Sequence, residues 1–103
     1  SWTDRADFAV AWISLQTGPG IVFVLTRKNT TRVSRLLQAR GIQAHPYHAG
    51  MSHEEKIALE RMLEKGEGGL FALVATTAFG LGMNFGSLRW CLVWQALPSL
   101  LAL

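Results

Sequence analysis

Four short apolar runs, separated by amphipathic stretches, are the feature that most constrains how this chain can fold. The stretches between the runs place apolar residues at the spacings of three and four that a helix requires. Apolar strands that alternate with amphipathic helices are typical of a parallel sheet with right-handed crossovers. The sequence therefore predicts an α/β fold of three layers, a mostly parallel sheet flanked by helices. The predicted strands are Ile21–Leu25, Ile42–Tyr47, Leu70–Ala75 and Leu88–Trp94.

Three helices are predicted from the periodicity and its boundary signals. The first covers Asp4–Gln16, the second covers Asn29–Arg40, and the third runs from Ser52 to about Lys65. Gly41 is expected to end the second helix, and a capping box over Ser52–Glu55 opens the third. Pro46 predicts that the second strand lies at or near an edge of the sheet. The residues expected to face inward are Phe8, Trp12 and Leu15, then Val33, Leu36 and Leu37, then Ile57, Leu59, Met62 and Leu63.

The length and the charge distribution narrow the class of protein. With 103 residues, half of them apolar and 17% charged, the chain forms one ordered domain, which we take as residues 1–103. The net charge is +3, and no acidic residue stands between Phe8 and His53. Such a basic block suits a polyanion such as nucleic acid, and a solvated helix face is the alternative. Its cations are Arg27, Lys28, Arg32, Arg35 and Arg40.

Several classes of protein are disfavoured. A single cysteine, Cys91, argues against a disulfide framework and indicates a reducing, intracellular compartment. The apolar tail Leu88–Leu103 contains Arg89 and Pro98 and is too short to span a bilayer, so we expect no membrane association through it. We interpret the tail as a core strand followed by a segment that a protein partner covers. The three histidines and Cys91 match no common zinc spacing, so no metal site is expected.

Polar residues follow three of the predicted strands. Thr26 and Arg27 come after the first strand, His48 and Gly50 after the second, and Thr76 after the third. In a parallel sheet these strand ends open onto one edge, where ligands bind. Hydroxyls, helix N-termini and a guanidinium there suit phosphate oxygens, and therefore a nucleic-acid backbone read without regard to base sequence. His48 could equally be a residue that packs its own loop.

The segment Val74–Asn84 carries a strand directly into two threonines and a Gly-x-Gly. Gly80 and Gly82 form only part of a dinucleotide fingerprint, because Phe85 stands where the third glycine would be. An ordinary tight turn is the alternative to a ligand loop. No Gly-x-x-x-x-Gly-Lys-Ser/Thr occurs in these 103 residues.

Taken in order, these segments resemble the second RecA-like lobe of superfamily 2 helicases, and most closely that of RecQ-like DNA helicases. Ile21–Thr30 resembles motif IV, and Tyr47–Met51 resembles the family's Tyr-His-Ala-Gly-Leu segment. Val74–Asn84 resembles motif V, and Leu97–Ser99 resembles the approach to motif VI. The similarity covers about Gly20 to Ser99.

The resemblance implies a helicase C-terminal domain that takes part in DNA unwinding, as in DNA repair and recombination. By that resemblance, Thr26, Arg27, His48, Gly50 and Thr76 would lie along single-stranded DNA. Gly80, Gly82 and Asn84 would approach ATP with Mg²⁺, held mainly by a first lobe. No residue of the chain is expected to be catalytic.

Two departures from the family pattern matter. After Asn84 the usual Lys-Pro-x-Val-Arg is replaced by Phe85–Arg89, which keeps only the arginine. The sequence contains no motif VI, which supplies an arginine finger, so we expect a fragment that does not hydrolyse ATP alone. The alternative is a degenerate helicase lobe that serves as a non-enzymatic module for binding nucleic acid or protein.

Overall fold

A four-stranded parallel sheet forms the centre of the computed structural model, which describes residues 1–65, 69–76 and 88–97. The strands are β1 (Pro19–Val24), β2 (Ala44–Tyr47), β3 (Phe71–Thr76) and β4 (Trp90–Val93). The helices are α1 (Trp2–Ile13), α2 (Arg27–Gln38) and α3 (His53–Lys65), and a 3-10 turn at Trp94–Ala96 follows β4.

The strand order is β2-β3-β1-β4, so consecutive strands are not neighbours and β1 pairs with both β3 and β4. The β1–β3 register runs from Pro19 opposite Phe71 to Val24 opposite Thr76. Both of these strands are buried along nearly their whole length, as expected for strands covered by helices on both faces. The predicted parallel sheet is confirmed.

Helices cover the two faces of the sheet and divide the core into two clusters. On one face, α1 and α2 pack against side chains that include Val22, Val74 and Leu92. On the other face, α3 packs against Ile21 and Leu73, which are neighbours of the first group along the same strands. Alternate side chains of a strand point to opposite faces, so both clusters draw on the same strands. The three predicted layers are present.

The first helix is where the sequence prediction was wrong. It begins at Trp2 and ends at Ile13, rather than covering Asp4–Gln16. Its N-terminus is fixed by Ser1, whose hydroxyl accepts a hydrogen bond from the N–H of Asp4 at 3.2 Å in a complete capping box.

The face of α1 that packs on the core is also different from the one predicted. Ala6, Ala9 and Ile13 are fully buried, whereas Phe8 is 43% exposed and Leu15, which lies beyond the helix end, is 82% exposed. Ala6 and Ala9 belong to the core cluster that α1 shares with α2 and the sheet, and a prediction guided by large apolar residues does not find such small buried side chains. Trp12 is half-buried and packs against the core as expected.

The other boundaries move by a few residues. Leu25, predicted to end the first strand, is exposed, and β2 begins at Ala44 rather than Ile42. Pro46 does lie in an edge strand, because β2 pairs with β3 alone among the described strands. β3 extends to Thr76, which places this threonine at the last position of the strand.

The third helix ends at Lys65 as predicted, whereas the second covers Arg27–Gln38 rather than Asn29–Arg40, with Gly41 following its end as expected. Gly41 has a φ of +87°, which glycine adopts without strain. The N–H of Ile42 donates to the carbonyl of Leu37, and the N–H of Gly41 donates to that of Gln38, which is the Schellman pattern. Val33 and Leu37 are buried, and Leu36 packs against the same cluster from a half-buried position.

Helix α3 ends at Lys65, and Leu59 and Leu63 are its buried residues. Met62 packs against them, and Ile57 is only half-buried. At its start the hydroxyl of Ser52 accepts a hydrogen bond from the N–H of Glu55 at 3.2 Å, which is one half of the predicted capping box.

A close approach between Gly20 and Trp90 joins β1 to β4. The Trp90 ring is almost fully buried, and its Nε1 donates to the carbonyl of Gly18 at 3.0 Å. A Cβ atom at Gly20 would lie 1.9 Å from Cδ2 of that ring. The backbone of β1 and the indole therefore pack face to face, with no room for a side chain between them.

Gly20→Ala is therefore expected to lower the free energy of unfolding by about 3 kcal/mol or more, because the buried indole must leave its position. Urea denaturation followed by circular dichroism measures the change. In a Trp90→Leu background, which lacks the ring, the same substitution should cost much less. Equal costs in the two backgrounds would contradict the assignment of the clash to Trp90.

Candidate nucleic-acid interface

The carboxyl ends of the parallel strands form one edge of the sheet, which we call the rim. Thr26 lies two residues beyond the end of β1, and Arg27 is the first residue of α2. His48 and Gly50 follow β2, and Thr76 is the last residue of β3. Because β3 lies between β1 and β2, Thr76 is placed between the other two groups. Five residues predicted from sequence to contact nucleic acid thus share the rim.

Arg27, His48 and Gly50 approach one another closely. A Cβ atom at Gly50 would lie 3.0 Å from Nη1 of Arg27 and 3.1 Å from Nδ1 of His48. Position 50 carries no side chain, and a Cβ atom there would be in tight contact with both the guanidinium and the imidazole. Arg27 is exposed, and His48 and Thr76 are half-buried.

Thr26 is the N-cap of α2. Its hydroxyl accepts a hydrogen bond from the N–H of Asn29 at 3.2 Å, and its backbone is extended as N-cap residues require. The same hydroxyl still has a proton to donate, and the remaining N–H groups of the first turn face the rim. The start of α2 therefore combines a helix N-terminus with the guanidinium of Arg27, an arrangement that favours phosphate oxygens.

The imidazole of His48 is held in one tautomer. Its Nδ1 accepts a hydrogen bond from the N–H of Gly50 at 3.0 Å, so the ring proton of the neutral form lies on Nε2. Partial burial lowers the pKa of His48, the charge of Arg27 lowers it further, and Lys56 adds to this against the opposing effect of Glu55. At neutral pH His48 is therefore a neutral hydrogen-bond donor through Nε2.

The loop that carries His48 is held by one contact just before it and by two contacts within it. Just before it, the hydroxyl of Tyr47 donates to a carboxylate oxygen of Glu60 on α3 at 2.6 Å. Within it, the N–H of His48 contacts the sulfur of Met51 at 3.4 Å, and the N–H of Met51 donates to the carbonyl of His48. Burial and the hydrogen bond to Glu60 raise the pKa of Tyr47 to about 12.

The sequence prediction overlooked two features of the rim. Lys56, in the first turn of α3, is close enough to His48 to act on its pKa. The Tyr47–Glu60 pair links β2 to α3 and thereby positions the loop. The position of Lys56 in the first turn of a capped helix that begins at the rim could have indicated its role. Nothing in the sequence spacing pairs Tyr47 with Glu60.

Some predicted residues lie outside the described part of the chain. They are Gly80, Gly82 and Asn84, which the resemblance assigns to ATP, together with Pro98, Ser99 and the last four residues of the apolar tail. Within residues 1–65, 69–76 and 88–97, no three histidine, cysteine or acidic side chains come together as metal ligands would. No helix in these same ranges is both long and apolar enough to cross a bilayer.

Comparisons with known proteins agree on one family, that of the helicases. Residues 6–99 match the family described as the helicase conserved C-terminal domain. The ATP-dependent DNA helicase RecQ of Synechocystis is 34% identical over 77 residues, which is 75% of this chain and 16% of that protein. The ATP-dependent DNA helicase Q5 of Rattus norvegicus is 31% identical over 86 residues, or 82% of this chain and 8% of that protein. The chain thus spans a small part of these relatives.

Solved structures agree on the fold. The Mycobacterium smegmatis helicase Lhr, bound to ssDNA and AMP-PNP, matches with a TM-score of 0.73 and 26% identity over 89% of this chain and 13% of that one. The C-terminal domain of the DEAD-box protein Dbp5 matches with a TM-score of 0.62 and 22% identity over 78% of this chain and 44% of that domain. The RecA-like fold and the resemblance to RecQ-like helicases are confirmed.

The Tyr47–Glu60 pair predicts an unusual titration. Tyr47 is the single tyrosine of the chain, so phenolate absorbance near 295 nm reports it directly. An ordinary tyrosine is mostly ionised at pH 11, whereas Tyr47 should remain mostly protonated, because its pKa is raised to about 12. The neutral phenol is favoured in the folded state, so its contribution to stability is complete below pH 10 and is lost as the pH rises through about 12.

Glu60→Gln should lower the pKa of Tyr47, because it removes the negative charge that opposes ionisation. Glu64→Gln, one turn further along α3 and exposed, is the matched control and should leave the titration unchanged. A wild-type midpoint near pH 10 with the helical circular dichroism intact would show that the pair does not form.

Proposed function

This chain belongs to the helicase conserved C-terminal domain family, and from that premise we propose that it is the nucleic-acid-binding second lobe of an ATP-dependent, RecQ-like DNA helicase. The observation that carries the proposal is the meeting of Arg27, His48 and Gly50 at the rim, although more than twenty residues separate the first from the other two. Together with Thr26 and Thr76 they form a row of groups suited to phosphate oxygens.

The proposed ligand is the backbone of single-stranded DNA. The rim presents the guanidinium of Arg27, the Nε2 donor of His48 and the hydroxyl of Thr26, and none of these requires a particular base. The order of the strands sets the order of contacts, from His48 at β2 through Thr76 at β3 to Arg27 after β1. A strand that crosses this edge would therefore meet one group at each strand end.

ATP enters the proposal through a partner lobe. The 103 residues contain no phosphate loop, so we propose that a first lobe holds ATP with Mg²⁺, and that Gly80, Gly82 and Asn84 approach it from this side of the cleft. When bound, ATP would supply the energy that closes and reopens the two lobes. This chain would hold the DNA backbone at the rim while they move.

The 103-residue chain is expected to show no ATPase activity above background, with or without oligo-dT, because it contains neither a phosphate loop nor motif VI. A phosphate-release assay with Mg²⁺ present measures this. Hydrolysis that purifies with the chain and responds to single-stranded DNA would contradict the proposed division of roles between the lobes.

Arg27→Ala should weaken binding to single-stranded DNA by about fivefold for oligo-dT and for a mixed sequence alike, because the lost contact is to the backbone. The slope of log affinity against log salt should fall by about 0.7, as expected for one phosphate contact on a single strand. Fluorescence anisotropy with end-labelled oligonucleotides at several salt concentrations gives both quantities.

Arg89→Ala is the matched control, since it removes the same charge at the opposite edge of the sheet. Arg89 precedes β4, and its N–H donates to the carbonyl of Pro19, the first residue of β1. Equal losses from the two substitutions would mean that net charge alone attracts the DNA, and the rim would then not be the binding site.

A further inference from the structure

A second surface, away from the rim, lies along α2 on the side opposite to the sheet. It is a groove of about 510 Å³. The buried residues of α2, which include Val33 and Leu37, lie on the other side of the helix and belong to the core. The groove positions recur every three or four residues and so share one face of the helix. This basic groove is lined by Lys28, Thr31, Arg32, Arg35, Leu36 and Ala39.

The three cations of the basic groove are not neutralised within the described part of the chain. Helix α2 contains no acidic residue, and no described ion pair involves Lys28, Arg32 or Arg35. Arg40, just beyond the helix, differs from them because its Nε contacts a carboxylate oxygen of Asp7 at 2.8 Å. The sequence block of five cations therefore divides into Arg27 at the rim, one internally paired arginine, and three exposed cations on one helix face.

Arg32 is held in place without losing its charge. Its guanidinium carbon lies 3.8 Å from the centre of the Trp2 ring, which itself packs against Trp94 with ring centres 5.6 Å apart. A cation–π contact orders the guanidinium but leaves its N–H groups able to meet a carboxylate. Ordering a side chain in advance reduces the entropy that binding costs.

The floor of the basic groove is apolar. Leu36 is half-buried and Ala39 is exposed, and the methylene stems of the cations lie beside them. A nucleic-acid backbone would use the cations but would leave this floor exposed to water. An acidic amphipathic helix suits both the cations and the apolar floor. Its carboxylates meet the cations, and its apolar side chains cover the floor.

We propose that the basic groove docks an acidic amphipathic helix from a partner protein. The cations from Lys28 to Arg35 extend for about 10 Å along α2, so a partner helix of about three turns meets all of them. Its apolar residues pack on Leu36 and Ala39. The interaction is separate from DNA binding at the rim, and it stands whether or not the proposed helicase role is correct.

The test uses a fluorescein-labelled peptide of about 18 residues built from Glu, Ala and Leu, with Leu every three or four positions. Lys28→Glu combined with Arg35→Glu should weaken its binding at least tenfold in fluorescence anisotropy, because two attractive contacts become repulsive. Arg61→Glu with Lys65→Glu, two exposed cations of α3, makes the same change of charge elsewhere and should alter binding less than about twofold.

Three further measurements separate this proposal from its rivals. Ala39→Glu should weaken peptide binding because it places a carboxylate on the apolar floor, whereas Arg27→Ala should leave peptide binding nearly unchanged while it weakens DNA binding. A scrambled peptide of the same composition should bind at least fivefold more weakly.

The proposal would be overturned if the scrambled peptide bound as tightly as the amphipathic one, or if oligo-dT displaced the amphipathic peptide fully. Either result would show that the groove binds polyanions in general. A dimer in analytical ultracentrifugation that the double charge reversal dissolves would also overturn it. Helix α3 of a second copy, which carries four glutamates, would then be the occupant.

Discussion

The parallel pairing of β1 with β3 fixes the position of the other strands, both core clusters and the rim. These strands are separated by nearly fifty residues, yet they align from Pro19 opposite Phe71 to Val24 opposite Thr76. Each also forms the only described attachment of an edge strand, β4 to β1 and β2 to β3. A shift of this register would move both core clusters and every strand end at the rim.

The rim follows directly from that pairing. Once three strands run in parallel and end level with one another, the residues that follow them must emerge at the same edge. Local contacts then refine the arrangement: Thr26 caps α2, the Tyr47 hydroxyl ties β2 to Glu60, and Gly50 leaves space between Arg27 and His48. Partial burial, and after it the charge of Arg27, lowers the pKa of His48, so the neutral imidazole donates a hydrogen bond without adding further charge to the site.

Helix α2 has two basic surfaces, and each suits a different kind of ligand. At the rim, Arg27 lies near the imidazole of His48 and next to the N-cap Thr26, and these groups suit an oxygen-rich backbone. Along the outer face, Arg32 and Arg35 border apolar side chains, which suit a protein segment. The sequence shows a single run of positive charge, and only the helical geometry separates it into these two surfaces.

Much of the fold was predictable because the apolar runs and their boundary signals are local. The Schellman end at Gly41 and the end of α3 at Lys65 were both found in this way. The errors arose where packing overrides local pattern. In α1, the buried face is formed by Ala6, Ala9 and Ile13, which pack in the cluster shared with α2 and the sheet, whereas Phe8 is 43% exposed. Periodicity of large apolar residues carries no information about how closely two layers approach.

The class of sheet, the three strand ends that carry polar groups and the family to which the motifs point can all be inferred from the amino-acid sequence. These properties depend on residue type and order along the chain. Only the folded structure shows that Arg27 and His48 meet beside Gly50, that Tyr47 meets Glu60, and that Arg32 stacks on Trp2. Such contacts depend on distances between elements, and those distances are set only when the helices pack onto a sheet whose strand order differs from the order of the chain.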